Sequence, residues 1–162
     1  MPPGATPAHP LRRISYGGTA AIVTSIGLVV GFAAASVSRM AIVGSLLVVG
    51  IADNLSDSLS VHLYQESEGL EPMDAIRSTA SNFAVRAGVT ASFVLLVLVV
   101  PQSFLWAVAA GWGALLLGLL TQVLARVRGK STIRELSYHL GVAALVIALS
   151  DIIGSLIDGH FG

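Results

Sequence analysis

The sequence of 162 residues contains no cysteine. This absence excludes disulfide scaffolds, thiolate metal sites, cysteine nucleophiles and CxxC redox chemistry. Charged residues are also scarce, at 11% of the chain against roughly 25% in a typical soluble protein. Nine basic residues balance nine acidic ones, so nothing in the charge favours binding to nucleic acid. There is no Ser-His-Asp context, no phosphate-binding glycine loop and no HExxH motif, and we therefore predict that the protein is not an enzyme.

Apolar residues take the place of the missing charges. They make up 54% of the chain, and its mean hydropathy is +0.83. A soluble protein of this length could not cover its surface with so few charged side chains. The composition therefore predicts an integral membrane protein whose outer surface contacts lipid.

The apolar runs predict the fold class. A bilayer core of about 30 Å needs about 20 apolar helical residues for each crossing. The uncharged stretch 87–123 is too long for one crossing, and Pro101-Gln102-Ser103 divides it. We predict an all-α integral membrane protein with five transmembrane helices, at about 16–37, 41–63, 81–100, 104–125 and 133–157. The third helix includes Arg86, which we expect to snorkel to the membrane interface.

The tails and the orientation follow from the same pattern. We expect a disordered cytoplasmic tail over 1–13, a single transmembrane domain over 14–158 and a short C-terminal tail over 159–162. With the N-terminus cytoplasmic, the inner segments hold eight basic residues and the outer segments only Arg39, which predicts an outside C-terminus. We expect the protein in the plasma membrane if it is prokaryotic, and an organelle membrane is the alternative. A signal peptide cleaved near Ala33-Ala34-Ala35 is an alternative interpretation of the first run.

Polar residues at membrane depth are the candidate functional residues, because they are costly there. The second span places Asp53 and Asp57 on one helical face, about 6 Å apart along the axis, with Asn54 beside them. Two carboxylates so close in a low dielectric need a shared proton or a cation between them. Oxygen ligands suit cations such as Mn²⁺, Fe²⁺ or Mg²⁺. Alternatively, both aspartates are neutral or hydrogen-bonded and serve helix packing.

Further polar residues extend this candidate site. His62, Glu66 and Glu68 are expected at the inner surface, where they would receive the cation, although simple solvation is an alternative role. Asp151 of the fifth span is a candidate proton relay, or else a partner in a salt bridge or a helix cap. The predicted metal-binding set shares oxygen or imidazole donors and comprises Asp53, Asp57, Asn54, His62, Glu66 and Glu68. In the first span, Gly27 and Gly31 form a small-xxx-small pattern that favours a close approach between helices.

Several of these stretches together resemble a known family. Ala52-Asp53-Asn54-Leu55-Ser56, the following Gln65-Glu66-Ser67-Glu68 and the first-span Ile22-Val23-Thr24-Ser25 resemble the vacuolar iron transporter family, with likeness in order and spacing over residues 14–158. The resemblance implies a five-span homodimer that exports Fe²⁺ or Mn²⁺ from the cytosol in exchange for protons. It also implies an ion path between the first and second helices at the dimer interface.

The sequence departs from the family at its metal ligands. At the positions of the family's first-span Asp-Gly pair, this sequence has Ala20 and Ala21. Asp57 replaces the family's second-span methionine, and a further family glutamate is missing near Val61. Its long cytosolic metal-binding segment is reduced to the loop around Gly69. The leading hypothesis is a proton-coupled transporter of divalent cations, in which Asp53 and Asp57 replace the lost ligands and no cofactor is needed. The alternative is a non-transporting membrane scaffold or regulatory protein that retains the fold.

Overall fold

A computed structural model describes residues 10–67, 69 and 72–161, and all its regular structure is helical. Each of its five α-helices is long and apolar enough to cross a membrane, which confirms the predicted five-helix composition. A single 3₁₀ turn, Gln102–Phe104, precedes the fourth helix. The α-helices are α1 (Pro10–Ala34), α2 (Arg39–Ser67), α3 (Pro72–Val99), α4 (Leu105–Arg128) and α5 (Thr132–Phe161).

The helix ends follow local sequence signals. The predicted break at Pro101 is confirmed, because α3 ends at Val99 and a new helix starts after the 3₁₀ turn. Gly129 ends α4 in the left-handed region with φ of 62°, and the Lys130 N–H donates to the Ala125 carbonyl at 3.0 Å. The first helix starts at Pro10, inside the segment 1–13 expected as a tail; residues 1–9 lie outside the described ones.

Helix α1 is at the centre of the bundle. This helix contacts α3, α4 and α5 extensively, whereas α2 packs mainly against α3 and touches α1 much less. Fully buried apolar side chains from several helices form the core, including Ile26, Val29, Phe93, Leu105 and Leu117. Consequently α2 is the peripheral member of the bundle, supported chiefly by one neighbour.

Small residues bring α1 and α5 close together, as the Gly27–Gly31 pattern predicts. A Cβ atom at Gly27 would lie 3.0 Å from Val146 Cγ1, and one at Gly31 would lie 3.3 Å from the Ser150 carbonyl oxygen. On the facing helix, Gly154 lies directly against the Gly31 carbonyl oxygen. The structure thus identifies α5 as the partner of this glycine pair.

Arg39 ties the start of α2 to the end of α3. Its Nη1 donates to the Leu98 carbonyl at 2.7 Å and its Nη2 to the Val100 carbonyl at 2.8 Å. Carbonyls at a helix C-terminus have no partners within the helix, and a positive charge there is favourable. The Arg39 side chain therefore caps α3 and holds the α2–α3 pair together at this end.

The substitution Arg39→Met is expected to lower the free energy of unfolding by about 1.5 kcal/mol, because it removes two charge-assisted hydrogen bonds at a partly exposed site. Unfolding in detergent, followed by circular dichroism, measures the change. The exposed Arg134 provides the control, since Arg134→Met removes the same charge away from α3. Equal losses in the two variants would show that the capping contact contributes nothing.

Candidate functional site

The second helix turns two small polar side chains toward α3. Asn54 is 2% exposed and Ser58 is 8% exposed, and the Asn54 Nδ2 donates to the Phe83 carbonyl of α3 at 3.0 Å. On the other side of α2, Leu55 and Leu59 are more than half exposed. The helix therefore presents leucines outward and polar groups to its neighbour.

Arg86 of α3 lies between the two aspartates of α2. Its Nη1 donates to Asp57 Oδ2 at 2.5 Å, and its Nη2 makes a second ion pair with Asp53 Oδ2. The Arg86 side chain is only 3% exposed, so the expectation that it snorkels to the interface is wrong. The physical reason is that two carboxylates one turn apart match the two prongs of a guanidinium, which makes its burial tolerable.

Two neighbouring carboxylates need a compensating charge, and the structure places the Arg86 guanidinium between them. The cation that compensates them is a side chain of the same protein, and the cluster has a formal charge of −1 when all three groups are ionised. Both contacts use the Oδ2 atoms, and the side chains of Asp53 and Asp57 remain 42% and 30% exposed. Neither aspartate side chain is thus fully enclosed by the bundle.

A small cavity adjoins the ion pair between α1, α2 and α3. Asp53 and Arg86 form its charged end, and hydroxyl groups of Thr24, Ser25 and Thr90 line its walls. Small residues make the space for it, since the rest of the lining includes Ala21 and Gly50. Hydroxyl and carboxylate oxygens are suitable ligands for water or for a hard cation.

Sequence reasoning missed the central role of α3 in this site. Asn82 and Arg86, four residues apart, are each 2% exposed and lie on the face of α3 that packs into the bundle. Gly17 of α1 leaves the space that Asn82 occupies, because a Cβ there would overlap with the Asn82 amide oxygen. The available signal was the i, i+4 spacing of two polar residues at the start of an apolar span.

The remaining predicted ligands are only partly brought together. His62 Nε2 lies 3.5 Å from Glu66 Oε1 on the last turns of α2, and Glu68 lies outside the described residues. Within residues 10–67, 69 and 72–161, no group of three or more His, Asp or Glu side chains is arranged to hold a metal ion. The metal role of the predicted set stays a prediction.

Asp151 belongs to a different part of the bundle. It lies on α5, which packs against α1 and α4, whereas Asp53 and Asp57 pair with α3. The described structure does not gather the three carboxylates into one cluster. The relay role of Asp151 therefore stays a prediction.

Comparisons of the chain with family models, with curated proteins and with solved structures find no match. The α2–α3 ion pair and the residues around it are therefore the features of the molecule that point to a function.

Proposed function

We propose that the protein transports a divalent cation, Fe²⁺ or Mn²⁺, across a membrane in exchange for protons, with Asp53 and Asp57 as its ion site. The observation that supports this proposal is a pair of partly exposed carboxylates on a membrane-length helix, compensated by one buried arginine. Carboxylates at such a depth are costly unless they are paired, and they are characteristic of ion and proton pathways.

The geometry suggests how a cation would bind and leave. An ion at the exposed edges of Asp53 and Asp57 competes with Arg86 for the same negative charge, and the two cations repel each other. Binding of the metal weakens the contact with Arg86, and departure of the metal lets Arg86 restore it. In this proposal Arg86 pairs with both aspartates when no metal is bound, and its competition with the bound metal favours release of the ion.

The proposal includes a homodimer and an approach route for the ion. In this homodimer, Asp53 and Asp57 of the paired α2 helices would face one another, which would bring a second pair of carboxylates near the first. His62 and Glu66, together with Glu68, would deliver the cation to the C-terminal half of α2. Asp151 is the candidate for passing protons onward.

One observation favours a different function. The compensation of both aspartates by Arg86 is also the arrangement expected of a purely structural ion pair that holds α2 to α3. In that case the protein would be a non-transporting membrane scaffold or a regulatory protein. Measurement of ion flux distinguishes the two candidates.

The test is uptake of Mn²⁺ and Fe²⁺ into proteoliposomes with an imposed pH gradient. We expect flux with the unmodified protein and its loss in Asp53→Asn and in Asp57→Asn, since each substitution removes one charged ligand. Asp158→Asn, near the end of α5, is the matched control and should retain flux. Thermal unfolding of each variant verifies the fold. An absence of flux for both ions, with the gradient in either direction, would favour the scaffold.

A further inference from the structure

Most of the basic residues of the chain lie in two short segments. Six of the nine lysines and arginines fall in the first turn of α1 or in the segment 126–135, which joins α4 to α5. They are Arg12, Arg13, Arg126, Arg128, Lys130 and Arg134. The two segments contain one acidic residue, Glu135, so together they carry a formal charge of +5. These two segments are called the basic region below.

Packing of α1 against α4 brings the two segments to the same level. A Cβ atom at Gly18 of α1 would lie 3.1 Å from Leu120 Cδ2 of α4. Further along the interface, a Cβ atom at Gly113 of α4 would overlap with the Ile26 side chain of α1. The two contacts occur in opposite order along α1 and α4, so the helices run antiparallel. The first turn of α1 therefore lies beside the last turn of α4, since each is about two turns beyond the contact of Gly18 with Leu120.

The positive charges of the α4–α5 turn are largely uncompensated. Arg126 and Arg134 are exposed, and within the described part of the chain neither makes an ion pair. Lys130 Nζ lies 3.4 Å from Glu135 Oε1, and the Lys130 side chain is 60% exposed. Two guanidinium groups are therefore free to bind an anion from outside the bundle.

The same turn lies where two membrane-length segments end. The candidate span of α4 ends at Val127 and that of α5 begins at Thr132, so the basic residues directly adjoin both spans. Val127, Ile133 and Tyr138 are 45%, 78% and 71% exposed. Tyrosine is enriched at the boundary between lipid and water. The turn thus combines free positive charge with exposed apolar side chains, as binding to a lipid surface requires.

The other turn at this end of the bundle has the opposite charge. Gly17, in the first turns of α1, lies against Asn82 in the first half of α3, so the start of α3 is near the start of α1. In sequence, the segment 66–77 that joins α2 to α3 holds four acidic residues and a single basic one, Arg77. An anionic lipid is therefore attracted to the α1–α4–α5 side of this end and repelled by its α2–α3 side.

We propose that the basic region binds the phosphate headgroups of anionic phospholipids in the leaflet that surrounds this end of the bundle. A cluster of about four to eight basic residues beside a membrane span is typical of such binding. Each guanidinium can donate two parallel hydrogen bonds to one phosphate. The exposed apolar side chains beside Arg126 and Arg134 favour a lipid over a soluble acidic protein as the occupant. The proposal requires the helices to lie in a membrane, but it is independent of ion transport.

Electron paramagnetic resonance of spin-labelled lipids tests the proposal on the full chain in phosphatidylcholine bilayers. Lipids in contact with the protein move more slowly, so the spectrum gives the fraction of each labelled lipid at its surface. We expect labelled phosphatidylglycerol to associate severalfold more strongly than labelled phosphatidylcholine at low salt. In about 1 M salt this preference should largely disappear, because the Debye length shortens to about 3 Å. Equal association of the two lipids at low salt would overturn the proposal and would favour a soluble acidic partner.

Substitutions locate the contact. The triple variant Arg126→Gln, Lys130→Gln and Arg134→Gln removes three charges at exposed positions, and it should lose most of the preference. Arg126→Gln alone should lower the preference in part, whereas Arg126→Lys keeps the charge and should retain most of it. Arg77→Gln is the matched control, since Arg77 is also an exposed arginine at this end but lies on the acidic side. It should leave the preference unchanged.

Two results would contradict the proposed location. An unchanged preference in the triple variant would show that anionic lipids bind elsewhere on the protein. Equal losses in Arg126→Gln and Arg77→Gln would show that the lipids respond only to the total charge of the chain. Thermal unfolding of each variant verifies the fold, and Arg126→Gln serves alone if the triple variant does not fold.

Discussion

Replacing Arg86 with methionine is expected to lower the free energy of unfolding by about 3 kcal/mol, the lower end of the range for removing one partner of a buried ion pair. The substitution leaves Asp53 and Asp57 without a counter-ion, one turn apart on α2. The lower end applies because the two carboxylates are 42% and 30% exposed. Unfolding of the purified protein in mixed micelles, titrated with a denaturing detergent, measures the loss.

The control for Arg86→Met is the triple variant that adds Asp53→Asn and Asp57→Asn. It has no unpaired charge at the site, so we expect it to regain most of the lost stability. A triple variant as unstable as Arg86→Met would mean that the arginine contributes through its shape and packing, and that charge compensation is unimportant. Asp57→Asn alone should have a smaller effect, since Arg86 retains its contact with Asp53.

A second large effect is expected from Gly154→Ala. The added Cβ would overlap with the Gly31 carbonyl oxygen and lie 2.8 Å from Ala34 Cβ, so the backbones of α1 and α5 must separate. Overpacking of this kind lowers the free energy of unfolding by about 3 kcal/mol, near the upper end of its usual range, because a backbone atom cannot rotate away. A drop in the midpoint of thermal unfolding in detergent would reveal it.

Gly141 offers the matched control on the same helix. A Cβ at this position meets no atom within 4 Å, and alanine is the better helix former, so Gly141→Ala should leave the midpoint unchanged or raise it. If both substitutions had the same small effect, the close approach of α1 and α5 would be of no importance for stability.

The helical framework was predictable because its signals are local. Hydropathy over about 20 residues marks each span, and Pro101 marks the break between α3 and α4. The glycine pattern of the first span indicated a close helix contact, although only the structure shows that Gly154 of α5 provides the opposite side. The α2 and α3 helices extend beyond their apolar cores into polar sequence, since α2 continues to Ser67 and α3 begins at Pro72.

The site was only half predictable, because its decisive contact joins residues that are far apart in sequence. The periodicity of α2 showed that Asp53 and Asp57 share a face and need a shared proton or a compensating cation. It could not show that Arg86 supplies this cation, since the rotation of α3 about its axis depends on the packing of the bundle. The same residue was interpreted as an interfacial arginine because snorkelling is the usual solution for a single charge near the end of a span.

The ion pair between α2 and α3 also bears on how the chain enters a bilayer. A central arginine or aspartate disfavours insertion of a single helix by about 2.5–3.5 kcal/mol. In a bilayer, α2 and α3 taken one at a time would both incur this penalty, whereas together they would offset part of it through the contacts of Arg86 with Asp53 and Asp57. The two helices adjoin along the chain, so the insertion machinery can release them as one hairpin. The α2–α3 pair would then be the unit that inserts, and α2 without α3 would carry two uncompensated carboxylates.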